Sequence, residues 1–139
     1  MNSTEQIWRK AIIPAHATIQ QVIRNLDQVA IKIVLVVNDA GELEGTISDG
    51  DIRRGLLKGL DLNSPITNVI HRNALVVPPE MTREMVKQLM VANKIQQIPT
   101  VDEQHHIVAV VAVVGIDAQL VDHLESVLAP VLNVDQGVE

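Results

Sequence analysis

Apolar positions follow one another at helical spacing in some stretches and as continuous β-branched runs in others, and the whole order occurs twice. Thr18 and Thr82, 64 residues apart, each follow a short apolar stretch closed by proline. The same spacing carries Pro14 onto Pro78, Val22 onto Val86, Ile31 onto Ile95, Val37 onto Val101 and Ile52 onto Ile116. Conservative pairs fill the intervals: Ile13 with Val77, Leu26 with Met90, Val34 with Ile98, Leu43 with Ile107. One register kept over roughly forty positions is the mark of a duplicated unit.

Each copy reads as strand, helix, strand, turn, strand, helix. In the first, Ala11 to Ile13 is extended ahead of Pro14, and Thr18 with Gln21 forms a Thr-x-x-Gln capping box. The helix it opens carries Ile19, Val22, Ile23 and Leu26 on one face and ends near Ala30. Ile33 to Val37 is a buried strand, Asn38-Asp39-Ala40-Gly41 a turn, and Leu43 to Ile47 the hairpin partner. A second helix, Ile52 to Leu60, follows Ser48-Asp49-Gly50-Asp51. In the second copy the spacing predicts a strand over Ala74 to Val77, a helix from Arg83 to about Asn93, a hairpin of Ile98 to Val101 with a strand starting at Ile107, and a closing helix from Ile116 to Ala129. Ser64-Pro65 opens a short linking helix through Ile70. The chain thus divides into an N-terminal segment (1–10), repeat 1 (11–62), a linker (63–73), repeat 2 (74–129) and a C-terminal segment (130–139) that is expected to fray.

A β-α-β-β-α unit present twice, with the string Gly45-Thr46-Ile47-Ser48-Asp49-Gly50-Asp51 where the last strand meets the last helix, resembles a tandem CBS-domain pair, the module named after cystathionine beta-synthase. The opening to Pro14 and Thr18, the run Ile33 to Val37, the turn at Asp39 to Gly41 and the strand Gln97-Ile98-Pro99-Thr100-Val101-Asp102 share in the likeness, which covers about residues 10 to 129. The resemblance implies a mixed α/β (α+β) fold of two pseudo-symmetric repeats, paired again into a homodimer. Thr46 to Arg54, Leu57 to Leu60 and His71-Arg72-Asn73 look most like the pairs that accompany sugar-phosphate nucleotidyltransferases. No Gly-rich, Arg-containing nucleotide loop follows Ala129, so the chain reads either as the regulatory part of a longer enzyme or as a free-standing relative.

Composition narrows the function classes. The chain of 139 residues carries a formal net charge of -6 and Trp8 as its single aromatic residue, which argues against nucleic-acid binding by phosphate contacts or base stacking. It contains no cysteine, which removes thiolate chemistry and cysteine-ligated metals and favours a cytoplasmic setting. Its longest apolar run, Ile107 to Ile116, is about half of a membrane span. No nucleophile, base or metal set converges on one segment, so the chain reads as a non-enzyme with no cofactor of its own. Asp49 and Asp51 have no third metal ligand nearby, and His105 and His106 point to opposite faces of a hairpin. Met81, Met85 and Met90 read as core filler, Trp8 as a cover for an exposed edge or a partner chain, and His16, His71 and His123 as solvated or capping residues.

The resemblance implies that Asp51 accepts hydrogen bonds from the ribose hydroxyls of an adenosine-type nucleotide (AMP, ADP, ATP or S-adenosylmethionine), with Ser48 reaching the ribose or first phosphate. Arg53 and Arg54 stand in a first helical turn, where two cations oppose the helix dipole unless an anion is near, and a phosphate is such an anion. The base is expected between Ile12, Ile13, Ile33 and Leu35, with Arg72 a further phosphate contact. The alternative is a capping box, Ser48 with Asp51, that needs no ligand. In the second copy Ser48 falls on Ala112 and Asp51 on Gly115, so one nucleotide per chain is the expectation. Two functions stay open: a regulatory nucleotide-binding module acting on an associated domain, and a structural homodimerisation module without a ligand.

Overall fold

The computed structural model describes residues 3–113 and 131–133. Their order is a 3-10 helix (Ser3–Ala11), β1 (Ile12–Pro14), α1 (Ile19–Gln28), β2 (Val34–Val37), β3 (Leu43–Ile47), α2 (Asp49–Leu57), a 3-10 turn (Ile66–Asn68), α3 (Arg83–Asn93), β4 (Gln97–Val101), β5 (Ile107–Val113) and β6 (Val131–Asn133). Two three-stranded sheets result, β1-β2-β3 and β4-β5-β6. The closing helix expected at 116–129 lies outside the described residues.

The repeat is written into the strand register. In the first sheet Val34 pairs with Ile47, Leu35 with Thr46, Val36 with Gly45, and after a bulge Val37 with Leu43. In the second, Ile98 pairs with Val111, Pro99 with Val110, Thr100 with Ala109, and after a bulge at the same place Val101 with Ile107. Every one of these pairs is the other displaced by 64 residues. The parallel contact of Ile13 with Val36 returns as a single parallel bridge of Val77 with Thr100. The first strand of the second copy is therefore reduced to that bridge, and Pro78 and Pro79 follow it, supplying no N–H to extend a ladder.

The hairpin turns repeat in their chemistry as well. Asn38 Oδ1 accepts from the backbone N–H groups of Ala40 and Glu42, and Asp102 Oδ1 accepts from those of Gln104 and His106. Gly41 (φ 84°) and His105 (φ 68°) then take the left-handed conformation that closes each turn. Glu42 and His106, which are each other's repeat partners, form an antiparallel bridge, as a two-fold relation between the copies requires.

Among the described residues three apolar clusters fill the interior. One belongs to the first copy, with Ile19, Val22 and Leu26 of α1 packed on Val34, Val36 and Ile47. Another belongs to the second, with Val86 and Met90 of α3 against Ile98 and Val111. The third joins the copies and contains Trp8, Val29, Ile31, Leu35, Val101 and Val110. Four expectations change here. Trp8 is a core residue, 1% exposed, rather than an edge cover. Met85 is exposed where Met90 is buried, because α3 turns only one side inward. Helix α2 begins at Asp49, pulled back by its cap, and residues 131–133 form an edge strand on β5 rather than a frayed end.

Candidate functional site

Ser48 sits at the end of β3 in extended conformation (ψ 173°) and caps α2. Its Oγ accepts from Asp51 N–H at 3.3 Å, while Asp51 Oδ2 accepts from Ser48 N–H at 2.9 Å and Ser48 Oγ at 3.1 Å. The capping box is therefore real. It does not exhaust the carboxylate, which offers about four acceptor positions. The remaining oxygen, Oδ1, accepts from Arg54 Nη2 at 2.7 Å. Arg54 is 64% exposed against 18% for Asp51, and an exposed i,i+3 ion pair is worth only a few tenths of a kcal/mol. The guanidinium can thus move to an incoming anion at small cost and release Oδ1.

Above this cap lies a cleft of about 820 Å³, within the range of small-molecule sites. Ser48, Asp51, Arg54 and Thr46 line it from the first copy, and His71, Asn73 and residues 74–76 from the linker and the start of the second. Asn93 at the end of α3, with Ile95, Gln97 and Pro99, closes it, and Ile33 completes the wall. The linker is held against β3 by a reciprocal pair: His71 N–H donates to Thr46 O at 2.8 Å and Thr46 N–H to His71 O at 3.2 Å. Gly45 makes that approach possible, since a Cβ there would stand 2.6 Å from the His71 carbonyl oxygen and from Ile70 Cγ2. Gln97 Nε2 donates to Ile31 O at 2.8 Å and ties the second copy to the first. A second depression of about 490 Å³ shares Asp51, Arg54 and His71 and adds Lys58 and Asn68.

Ser48, Asp51, Arg54 and Ile33 of the sequence-derived set therefore come together. Ile13 and Leu35 do not line the cleft: both are buried in the core, Ile13 with the first copy and Leu35, fully covered, between the copies. Ile12, packed against that central cluster, does not line it either. Arg53 is exposed on the side of α2 away from the lining. Arg72 is outside it as well, its Nη1 on Glu44 Oε1 at 3.2 Å. Missed by sequence reasoning are Thr46, His71, Asn73, Asn93 and Gln97. A polar linker and the Asn-Lys end of α3 were visible, but only the tertiary fold turns them toward Asp51. Among the described residues no group of three or more histidine, aspartate or glutamate side chains is placed to hold a metal ion.

Comparison with known proteins agrees with this architecture. The family model described as the CBS domain matches residues 7–58 and 66–116. The CBS domain-containing protein YhcV of Bacillus subtilis is 31% identical over 103 residues, spanning 73% of this chain and 72% of that one. An uncharacterized protein of Helicobacter pylori is 34% identical over 82 residues, 55% of this chain and 23% of its own length. The arabinose 5-phosphate isomerase GutQ of Salmonella typhi is 26% identical over 86 residues, 62% and 27% respectively. The chain thus spans about a quarter of those last two relatives. Among solved structures, the CBS domain protein PAE2072 of Pyrobaculum aerophilum complexed with AMP superposes with a TM-score of 0.64 at 18% identity, over 83% of this chain and 90% of that one. The cytosolic domain of the Mg2+ channel MgtE in complex with ATP gives 0.63 at 23%, over 84% and 44%. Two copies of one unit in a single register, each matched in turn by the family model, show that the chain belongs to the CBS domain family.

Proposed function

We propose that the chain is a regulatory module that binds one adenosine-type nucleotide in the cleft at Asp51. The observation that carries this reading is the juxtaposition, in one cavity of nucleotide size, of a hydrogen-bonding carboxylate with a weakly held cation. The ribose hydroxyls donate to Asp51 Oδ1, and Arg54 leaves that oxygen for the phosphate, aided by the N–H groups that open α2. The base lies toward Ile33, Ile95 and the 74–76 segment. Occupancy favours one arrangement of the two copies over another, and that difference acts on an associated domain. A sugar-phosphate enzyme suits the role: the motif likeness points to a nucleotidyltransferase, while GutQ is named as a sugar-phosphate isomerase. A cytoplasmic homodimer is the assembly proposed.

A thermal-melt panel of adenosine and guanosine nucleotides and S-adenosylmethionine tests the reading. At 100 times its dissociation constant a ligand adds about 2.7 kcal/mol, several degrees for a domain of this size. An adenosine-selective rise supports the proposal, and a flat panel at millimolar ligand contradicts it. The second reading, a dimerisation module without a ligand, is favoured by apolar side chains left exposed on two helices: Leu56 and Leu57 (80%) on or at the end of α2, Met85 and Val91 on α3.

A further inference from the structure

The 64-residue relation carries the walls of the open cleft onto a second set of residues. Thr46 goes onto Val110, Ser48 onto Ala112, Asn93 onto Val29, Ile95 onto Ile31, Gln97 onto Ile33 and Pro99 onto Leu35. All six of these partners are buried in one cluster, the one that joins the copies, and its largest side chain is Trp8. Four of the six exchanges replace a hydroxyl or amide by an aliphatic group. At these six positions the wall has become apolar and the side chains pack into one cluster, while the counterparts of Asp51 and Arg54, Gly115 and Ala118, lie outside the described residues. Trp8 is 1% exposed and, among the described residues, its buried Nε1–H meets no hydrogen-bond partner, so shape and dispersion hold the indole there rather than its one polar atom. Arg9 lies over the ring at 4.4 Å from its centroid.

We propose that this cluster is the second cleft of the duplicated fold, that the indole of Trp8 is its built-in occupant, and that the emptied space accepts a neutral aromatic heterocycle. The chain would then be limited to one site by its own N-terminal segment as well as by the loss of a serine and an aspartate from the second copy. The inference does not depend on what occupies the Asp51 cleft, which keeps polar walls. Apolar cavities opened by truncation stay dry and take up ring compounds of matching size.

Removing the occupant tests this. Trp8→Ala should melt lower than the parent, and free indole at millimolar concentration should raise its Tm by several degrees in a saturable manner while leaving the parent unmoved. The parent retains the open Asp51 cleft, so an equal response there would mean that indole binds elsewhere and would overturn the proposal. Trp8→Leu retains an apolar anchor and guards against a variant that does not fold. It should respond to benzene, the smaller ring for which it leaves room. A folded variant that ignores its probe also overturns the proposal, whereas folding of Trp8→Ala that depends on indole supports it.

Discussion

His105 carries a cost that Gly41 avoids. Both residues close the same turn in left-handed conformation, but only one lacks a Cβ. His105→Gly is expected to stabilise the protein by up to about 1 kcal/mol in urea melts, since the left-handed region disfavours L side chains by roughly that amount. The backbone carbonyl of His105, which accepts from Leu43 N–H at 2.9 Å, is untouched by the change. A loss of stability would mean that the imidazole contributes a contact worth more than the strain. Gly45 is the opposite case. Gly45→Ala drives a methyl group against the His71 carbonyl and should destabilise by about 1–3 kcal/mol, the range for overpacking. It should also loosen the linker that forms one wall of the cleft. Full stability after that substitution would show that the linker can retreat freely from β3.

At the scale of elements, much of the fold was legible because its signals are local. The capping box at Thr18 and Gln21 appears as read, with Gln21 Oε1 accepting from Thr18 N–H at 2.8 Å, and the turns at Asn38 and Asp102 follow from side chains that bond their own backbone. Thr82 caps α3 with the hydroxyl alone, because Met85 stands where the reciprocal acceptor would be. Thr18→Ala and Thr82→Ala are each expected to cost about 1 kcal/mol, read by chemical denaturation, and a loss well above 2 kcal/mol at either would place that threonine in more than a cap. What was not legible depends on contacts distant in sequence. The 3-10 helix Ser3–Ala11 carries few apolar residues, and nothing in its spacing says that Trp8 points into a core built from both copies. Strand β6 is three residues long and exists by pairing with β5. The cleft had the same fate: the Ser48 to Asp51 end was read from one string, and the facing wall of His71, Asn73, Asn93 and Gln97 required the fold.

For the whole molecule, duplication supplied two equivalent clefts and the sequence treated them differently. One kept hydroxyl, carboxylate and amide groups around an open volume; the other became core. That division argues for a binding role rather than a purely structural one: Asp51 caps α2 and Gln97 ties the copies, but neither task gives a reason to leave His71, Asn73 and Asn93 facing them around an open cleft. Isothermal titration of the parent and Asp51→Ala with AMP and ATP is the most direct test. One nucleotide per chain is expected for the parent, with at least a tenfold loss of affinity in Asp51→Ala, whose own stability falls by only about 1 kcal/mol, the value of a cap. Equal affinity in parent and variant would contradict the assignment of Asp51 as the ribose anchor.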